Sequence, residues 1–92
     1  MAYNISFQIE AIVEIREAFE WYEDQKDGLG YELLGEIETC YENLTANPLR
    51  YSFINQNYRR IKTNRFPYIL VYEVEGDDII INSVRHIKRE PL

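Results

Sequence analysis

The chain has 92 residues and a mass of 11.1 kDa, and its 46% of hydrophobic residues suffice for one folded domain spanning residues 1–92. Ten basic against sixteen acidic side chains give a net charge of −6, which argues against a general nucleic-acid-binding protein. With one cysteine, Cys40, and one histidine, His86, an internal disulfide and a Cys/His zinc cluster are excluded, and we expect neither metal nor cofactor. No apolar run is long enough to span a membrane and no secretion signal begins the chain, so we expect a cytoplasmic protein.

The charge is unevenly distributed along the chain. Residues 1–47 hold two basic and eleven acidic side chains, whereas residues 48–92 hold eight basic and five acidic ones. The argument against an anionic partner is therefore weaker for the second half, where the basic residues fall into two short clusters.

The first element is a short β-compatible segment, which predicts a strand over residues 3–8. From residue 9 the apolar spacing becomes helical and predicts a helix over residues 9–25 that ends near Asp27-Gly28. We expect this helix to bury one apolar face, formed by Ile12, Ile15, Phe19 and Tyr22. Its glutamates are expected to be solvated: Glu10, Glu14 and Glu17.

A second helix is predicted up to Asn47-Pro48, where the residue before proline is pushed out of the helical region. Its buried stripe is expected to consist of Gly30, Leu33, Ile37, Cys40 and Leu44. Cys40 is therefore expected to belong to the core rather than to act as a nucleophile. The two helices, joined by a short glycine-containing turn, form an antiparallel helical hairpin.

The rest of the chain has the period of β-strands. After a loop over residues 49–56, strands are predicted at residues 58–63, 66–75 and 78–85. The turn Glu75-Gly76-Asp77 indicates a hairpin between the last two strands. We therefore expect an α+β fold of order β-α-α-β-β-β, with the helical hairpin packed on a small, mostly antiparallel sheet.

The predicted strand at residues 66–75 is apolar on both faces, which is typical of a strand that is covered on both sides. The helical hairpin covers only one face. The C-terminal tail, the 49–56 loop or another chain must shield the other, and we expect a partner chain there, with a homodimer left open.

Several motifs, in order and covering nearly the whole chain, resemble those of the RelE/ParE superfamily of type II toxin–antitoxin toxins. They are Ala18-Phe19-Glu20-Trp21-Tyr22-Glu23-Asp24-Gln25, Gly28-Leu29-Gly30, Asn47-Pro48, Tyr58-Arg59-Arg60, Arg65-Phe66-Pro67-Tyr68-Ile69-Leu70-Val71-Tyr72 and His86-Ile87-Lys88-Arg89-Glu90-Pro91. The last has the family's His-x-x-Arg-x-Pro pattern. The resemblance implies a helical hairpin on a small antiparallel sheet, in agreement with the periodicity, and a cognate antitoxin as partner.

The resemblance does not imply one target, because RelE-like members cut mRNA on the ribosome and ParE-like members bind DNA gyrase. Cleavage of RNA needs a base, an acid and cations that stabilise the phosphorane. Ile69 stands where RelE-like nucleases have a catalytic arginine, Arg89 matches their tail arginine, and their terminal tyrosine has no match before Leu92. This pattern favours a ParE-like toxin.

A substituted catalytic set remains an alternative, formed by Arg60, His86 and Arg89, because histidine exchanges protons near neutral pH. The residues expected to bind the target or the antitoxin are Arg59, Arg60, Lys62, Arg65, Tyr68, Arg85, Lys88 and Arg89. For the cluster at residues 59–65, the other interpretation is an exposed strand whose charges discourage edge pairing.

Three functional hypotheses follow from the sequence. The first is a toxin that binds a protein target such as DNA gyrase. The second is a ribosome-dependent mRNA endonuclease. The third, suggested by the acidic net charge, is a non-toxic interaction domain that keeps the antitoxin-binding fold.

Overall fold

A computed structural model describes residues 3–88 and has the predicted element order. The elements are β1 (Asn4–Phe7), α1 (Ile9–Gln25), α2 (Leu29–Ala46), a 3₁₀ turn (Pro48–Arg50), β2 (Arg59–Lys62), β3 (Tyr68–Glu75) and β4 (Asp78–His86). The turn between the helices is made by Gly28, whose φ of 90° is in the left-handed region that glycine adopts without strain. Within residues 3–88, no helix has the length and apolar character needed to cross a membrane.

The four strands form one sheet in the order β1-β4-β3-β2. β2 pairs with β3 and β3 with β4 in antiparallel fashion, whereas β1 pairs with β4 in parallel. The predicted α+β class and order are therefore confirmed, with a sheet that is mixed because the edge strand β1 runs parallel to β4. Gly76, with a φ of 61°, forms the β3–β4 turn as predicted.

The predicted stripe of α2 is confirmed, because Gly30, Leu33, Ile37, Cys40 and Leu44 are all buried. They pack with residues of β3 and β4 that point to the same side of the sheet, namely Leu70, Tyr72, Ile79, Ile81 and Val84. The helical hairpin and one face of the sheet thus enclose the core.

The predicted buried face of α1 is wrong in one respect, because Ile12 is 53% exposed. The fully covered positions are Ala11 and Ala18 instead. Helix α1 contacts β4 along much of its length. The small side chains of Ala11 and Ala18 allow the helix to lie this close to its neighbours. Ile15 and Tyr22 are partly buried against the core, as their spacing predicts.

Glu14 lies between these two alanines and is not the solvated side chain that we expected. β1 pairs with β4 only as far as Ile81, so no strand of the described residues lies beside the edge of β4 beyond Ile81. The Glu14 carboxylate accepts a hydrogen bond from the Val84 N–H at 2.9 Å and so satisfies this edge. A residue of α1 thereby takes the place of the missing strand.

Candidate functional site

Three predicted cationic residues lie on the sheet face that points away from the helices. Ile61 of β2 is part of the core, so its neighbours Arg60 and Lys62 point to the opposite side. Lys62 is paired with Ile69 of β3, which is paired in turn with Arg85 of β4. The register therefore gathers Arg60, Lys62 and Arg85 on one surface, which we call the cationic face.

The apolar residues in the middle of the cationic face are already covered. Ile69 is 6% exposed and Val71 is 7% exposed within the single chain. Val71 shares a hollow with Ile54 and Tyr58 of the connection before β2, and Ile69 shares one with Tyr51 and Ile87. The expectation that these two residues need a partner chain for their burial is wrong, because the chain's own loop and the end of β4 flank them.

A groove of about 760 Å³ runs along one side of the cationic face. We call it the cationic groove; it is lined by Arg50, Tyr51, Ser52, Arg60, Ile61, Lys62, Ile69 and Ile87. Arg60 makes no ion pair with any residue of the described part of the chain. Lys62 donates hydrogen bonds from its Nζ to the carbonyl oxygens of Thr63 at 3.0 Å and Asn64 at 3.3 Å. The groove thus combines three positive side chains with an apolar floor.

Arg85 lies across the sheet from the groove and is partly buried. Its Nε donates a hydrogen bond to Ser83 Oγ at 3.0 Å, which holds the guanidinium along β4. The hollow beside it also contains Glu10 and Glu14 of α1. Positive and negative side chains therefore line the same hollow at this end of the cationic face.

Arg59 points to the other side of the sheet and anchors the loop that precedes β2. Its guanidinium donates hydrogen bonds to the carbonyl oxygens of Leu49 at 3.0 Å and Tyr51 at 2.6 Å, and it lies 3.8 Å from the ring centroid of Phe53. These contacts hold the polypeptide that forms one wall of the cationic groove.

Arg65 contacts α2 and is not part of the cationic face. Its guanidinium pairs with Glu32, and its backbone N–H donates to the Glu36 carboxylate at 2.9 Å. The hydrogen bond from Arg65 lowers the pKa of Glu32. Arg65 therefore joins the β2–β3 connection to the helical hairpin.

Tyr68 and His86 point toward the helices. Tyr68 is only 3% exposed, and its ring packs against Tyr22 and Phe66. The rings of Tyr68 and His86 meet edge to face, with their centroids 5.2 Å apart. His86 Nδ1 accepts a hydrogen bond from the Lys88 N–H at 3.1 Å. The structure thus places Tyr68 in the core and His86 beside it.

The substituted catalytic set is not brought together by the fold. Arg60 is on the cationic face, whereas His86 is on the helix side of the same sheet. Lys88 is exposed just beyond β4, and Arg89 lies outside the described residues. No three side chains of the metal-ligating types are grouped to hold a metal ion within residues 3–88.

The sequence matches a protein-family model over nearly its whole length. The profile described as "ParE toxin of type II toxin-antitoxin system, parDE" matches residues 5–91. The chain belongs to the ParE toxin family.

Two solved structures share the fold of this ParE-family chain at low sequence identity. One, from the chromosomal ParDE toxin–antitoxin system of P. aeruginosa, has a TM-score of 0.82 at 12% identity and covers 94% of this chain and 97% of its own. The other, from the RelBE2 toxin–antitoxin complex of Mycobacterium tuberculosis, has a TM-score of 0.65 at 16% identity and covers 94% and 99%. No curated protein matches the sequence.

Two residues of the candidate site in this ParE-family chain were not predicted from the sequence. Arg50 and Tyr51 line the cationic groove although they lie in the connection after α2. Arg50 follows Pro48 as an isolated basic residue, and no periodicity in the loop indicates which face of the sheet it reaches. The only signal was the general excess of positive charge after residue 47.

Cys40 is a core residue, as the helical stripe predicts. It is buried, and its Sγ lies 3.6 Å from the Lys62 carbonyl oxygen. Burial, reinforced by the charge of Glu36, raises the pKa of the Cys40 thiol to about 11.

We expect the folded chain to react slowly with iodoacetamide. At pH 8 a rise of the thiol pKa from 9.0 to about 11 lowers the thiolate fraction roughly 100-fold, and burial slows access further. The alkylation rate measured by mass spectrometry should therefore increase by at least that factor when the chain is unfolded in urea. Equal rates in the two states would contradict a buried thiol.

Proposed function

We propose that this chain is the toxin of a type II toxin–antitoxin pair, that it acts in the cytoplasm by binding a protein target such as DNA gyrase, and that a cognate antitoxin neutralises it. Membership of the ParE toxin family supports the toxin role. The two structural relatives come from toxin–antitoxin systems, which supports an antitoxin as partner.

One observation favours the binding of a protein target over the cleavage of RNA. The chain has a single histidine, and it lies on the opposite sheet face from Arg60. On the cationic face itself, the position between Lys62 and Arg85 is occupied by Ile69, whose aliphatic side chain neither transfers a proton nor stabilises a phosphorane. This arrangement suits recognition of an anionic surface better than phosphodiester cleavage.

The cationic groove is the surface that we assign to the partner. Arg60, which forms no ion pair within residues 3–88, and the apolar floor suit a flexible acidic segment with apolar anchors, which electrostatic attraction would steer to the groove. The long-range field of a chain with net charge −6 disfavours nucleic acid as the main partner.

The proposal is tested by expressing the chain with and without the product of the neighbouring reading frame, and then by adding the purified toxin to a gyrase supercoiling reaction. We expect growth arrest only without the partner, and loss of supercoiling that the purified antitoxin restores. Undisturbed supercoiling over a wide concentration range would reject gyrase as the target. Normal growth on expression alone would instead favour the non-toxic interaction domain.

The three positive side chains of the groove are the observation that favours the second candidate, a ribosome-dependent endonuclease. Primer extension on translated messages after induction distinguishes it from gyrase binding. New 5′ ends inside open reading frames would support cleavage, and their absence would count against it.

A further inference from the structure

The outer edge of β2 carries backbone groups that the sheet leaves unpaired. The Thr63 N–H donates to the Tyr68 carbonyl oxygen at 3.0 Å, and with this alternation Arg60 and Lys62 direct their N–H and C=O groups away from β3. At the outer edge, the Arg60 N–H donates to the Ser52 carbonyl oxygen at 3.1 Å. Within residues 3–88, no hydrogen bond reaches the Lys62 N–H or the Arg60 carbonyl oxygen.

The loop before β2 begins a fifth strand on this edge and does not continue it. Phe53 forms an isolated antiparallel bridge with Arg59, in the register that would pair Arg50 with Lys62. Arg50 belongs instead to the 3₁₀ turn and does not pair with Lys62. The cationic groove reaches this open part of the edge, because Ile61 lines the groove although its side chain is in the core.

A strand added here would direct its side chains alternately into two different environments. One set would lie on the cationic face beside Arg60 and Lys62. The Lys62 ammonium uses two of its three donors on backbone carbonyl oxygens, so one remains for a carboxylate. The other set would point toward a hollow of about 480 Å³ between β2 and α2, which Glu36 and Cys40 line. Carboxylates are attracted at the first set of positions and repelled by Glu36 at the second.

We propose that the acidic segment binds the cationic groove as an additional β-strand, paired with the outer edge of β2 at Arg60 and Lys62. The unpaired backbone groups provide affinity, and the two environments select a segment in which acidic residues alternate with uncharged ones. The positive charges of the edge disfavour pairing with a second copy of this chain. This inference rests on the proposed function, from which it takes the acidic partner, and it adds the conformation and the sequence pattern of the bound segment.

Two fluorescein-labelled peptides of equal composition test the sequence pattern. One alternates glutamate and threonine, and the other carries its glutamates in one block followed by its threonines. We expect the alternating peptide to bind the full-length chain about tenfold more tightly, measured by fluorescence anisotropy, because it can keep every carboxylate away from Glu36. Equal affinities would overturn the proposal.

Two substitutions of Lys62 test the backbone pairing. Lys62→Pro and Lys62→Gln remove the same charge, but only proline also removes the N–H group. Because that N–H makes no hydrogen bond within residues 3–88, proline on this edge strand breaks no bond of the sheet, and circular dichroism checks that both variants fold. We expect Lys62→Pro to bind the alternating peptide about fivefold more weakly than Lys62→Gln does. Equal binding by the two folded variants would overturn the proposal.

Amide hydrogen exchange gives a test that needs no substitution. In the unsubstituted chain, the Lys62 N–H should exchange fast when the chain is free and at least about tenfold more slowly when the alternating peptide saturates it. An unchanged rate would show that the segment binds without pairing, for example as a helix, and slow exchange in the free chain would show that the chain covers its own edge. Either result overturns the added strand without affecting the toxin role, which growth arrest and the supercoiling reaction test separately.

Discussion

Gly30→Ala is expected to destabilise the protein strongly, although alanine is the better helix former. A Cβ on Gly30 would lie 2.6 Å from the backbone oxygen of Phe19 and 2.7 Å from both Phe19 Cδ1 and Glu23 Cγ. Since a backbone oxygen cannot rotate away, the two helices must separate, and such overpacking costs about 2 kcal/mol. For a domain of this size we expect the melting temperature, followed by circular dichroism, to fall by roughly 10 °C.

Gly35→Ala is the matched control in the same helix. Among residues 3–88, no atom other than those of its chain neighbours and its own helix backbone lies within 4 Å of a Cβ placed on Gly35, which is in the interior of α2. There the higher helix propensity of alanine should raise stability by about 0.5–1 kcal/mol. Equal stabilisation by both substitutions would show that the helices do not approach each other at Gly30.

The difference between these glycines also shows what the sequence alone determines about the hairpin. The regular spacing of Gly30, Leu33 and Ile37 correctly predicted the buried stripe of α2, because one face of that helix meets the sheet along its length. The spacing did not reveal that Gly30 is needed for close approach while Gly35 is not. That distinction arises from the position of α1, to which Gly30 also donates its N–H, at 2.8 Å from Glu23 Oε1.

Helix α1 shows where the pattern misleads. Apolar residues occur on more than one of its faces, and the periodicity selected the face that includes Ile12. The actual orientation places Ala11 and Ala18 against the neighbouring elements and directs Glu14 to the Val84 N–H. This arrangement depends on β1 ending before β4 does, a tertiary feature that no local pattern encodes.

The candidate site was predictable to the extent that strand alternation determines it. Because side chains alternate along β2, Arg60 and Lys62 could be placed together from the sequence. The positions of the Arg59 and Arg65 side chains could not be predicted in this way, because they depend on hydrogen-bond acceptors on a distant loop or helix. The basic residues that appear as one cluster in the sequence therefore separate into one that anchors the loop beside the groove, two that line the groove and one that binds α2.

Arg60→Glu is expected to remove most of the toxicity while leaving the fold intact. Arg60 lines the cationic groove and has no ion-pair partner within residues 3–88, so its reversal breaks no ion pair there. Exposed charge changes of this kind shift the free energy of unfolding by less than about 0.5 kcal/mol. Because Arg60 is among the residues that we expect to bind the target or the antitoxin, a negative charge there would repel an acidic segment of either partner. Toxicity should therefore fall through weaker target binding, and we expect the affinity for the antitoxin to fall at least tenfold, or about 1.4 kcal/mol.

Arg16→Glu is the control variant that distinguishes the effect of a charge reversal in the groove from the effect of the changed net charge. Arg16 is exposed on α1 and does not line the cationic groove, so this variant has the same net charge as Arg60→Glu. Growth after induction and antitoxin binding by calorimetry should then resemble those of the unsubstituted chain.

Binding of the unsubstituted chain should also weaken more steeply with salt than binding of Arg60→Glu, because only the unsubstituted chain retains the attractive Arg60 charge in the groove. If both reversals reduced toxicity equally, net charge would control the activity and the cationic groove would have no special role. If Arg60→Glu alone unfolded the chain, its guanidinium would stabilise the fold, contrary to the prediction.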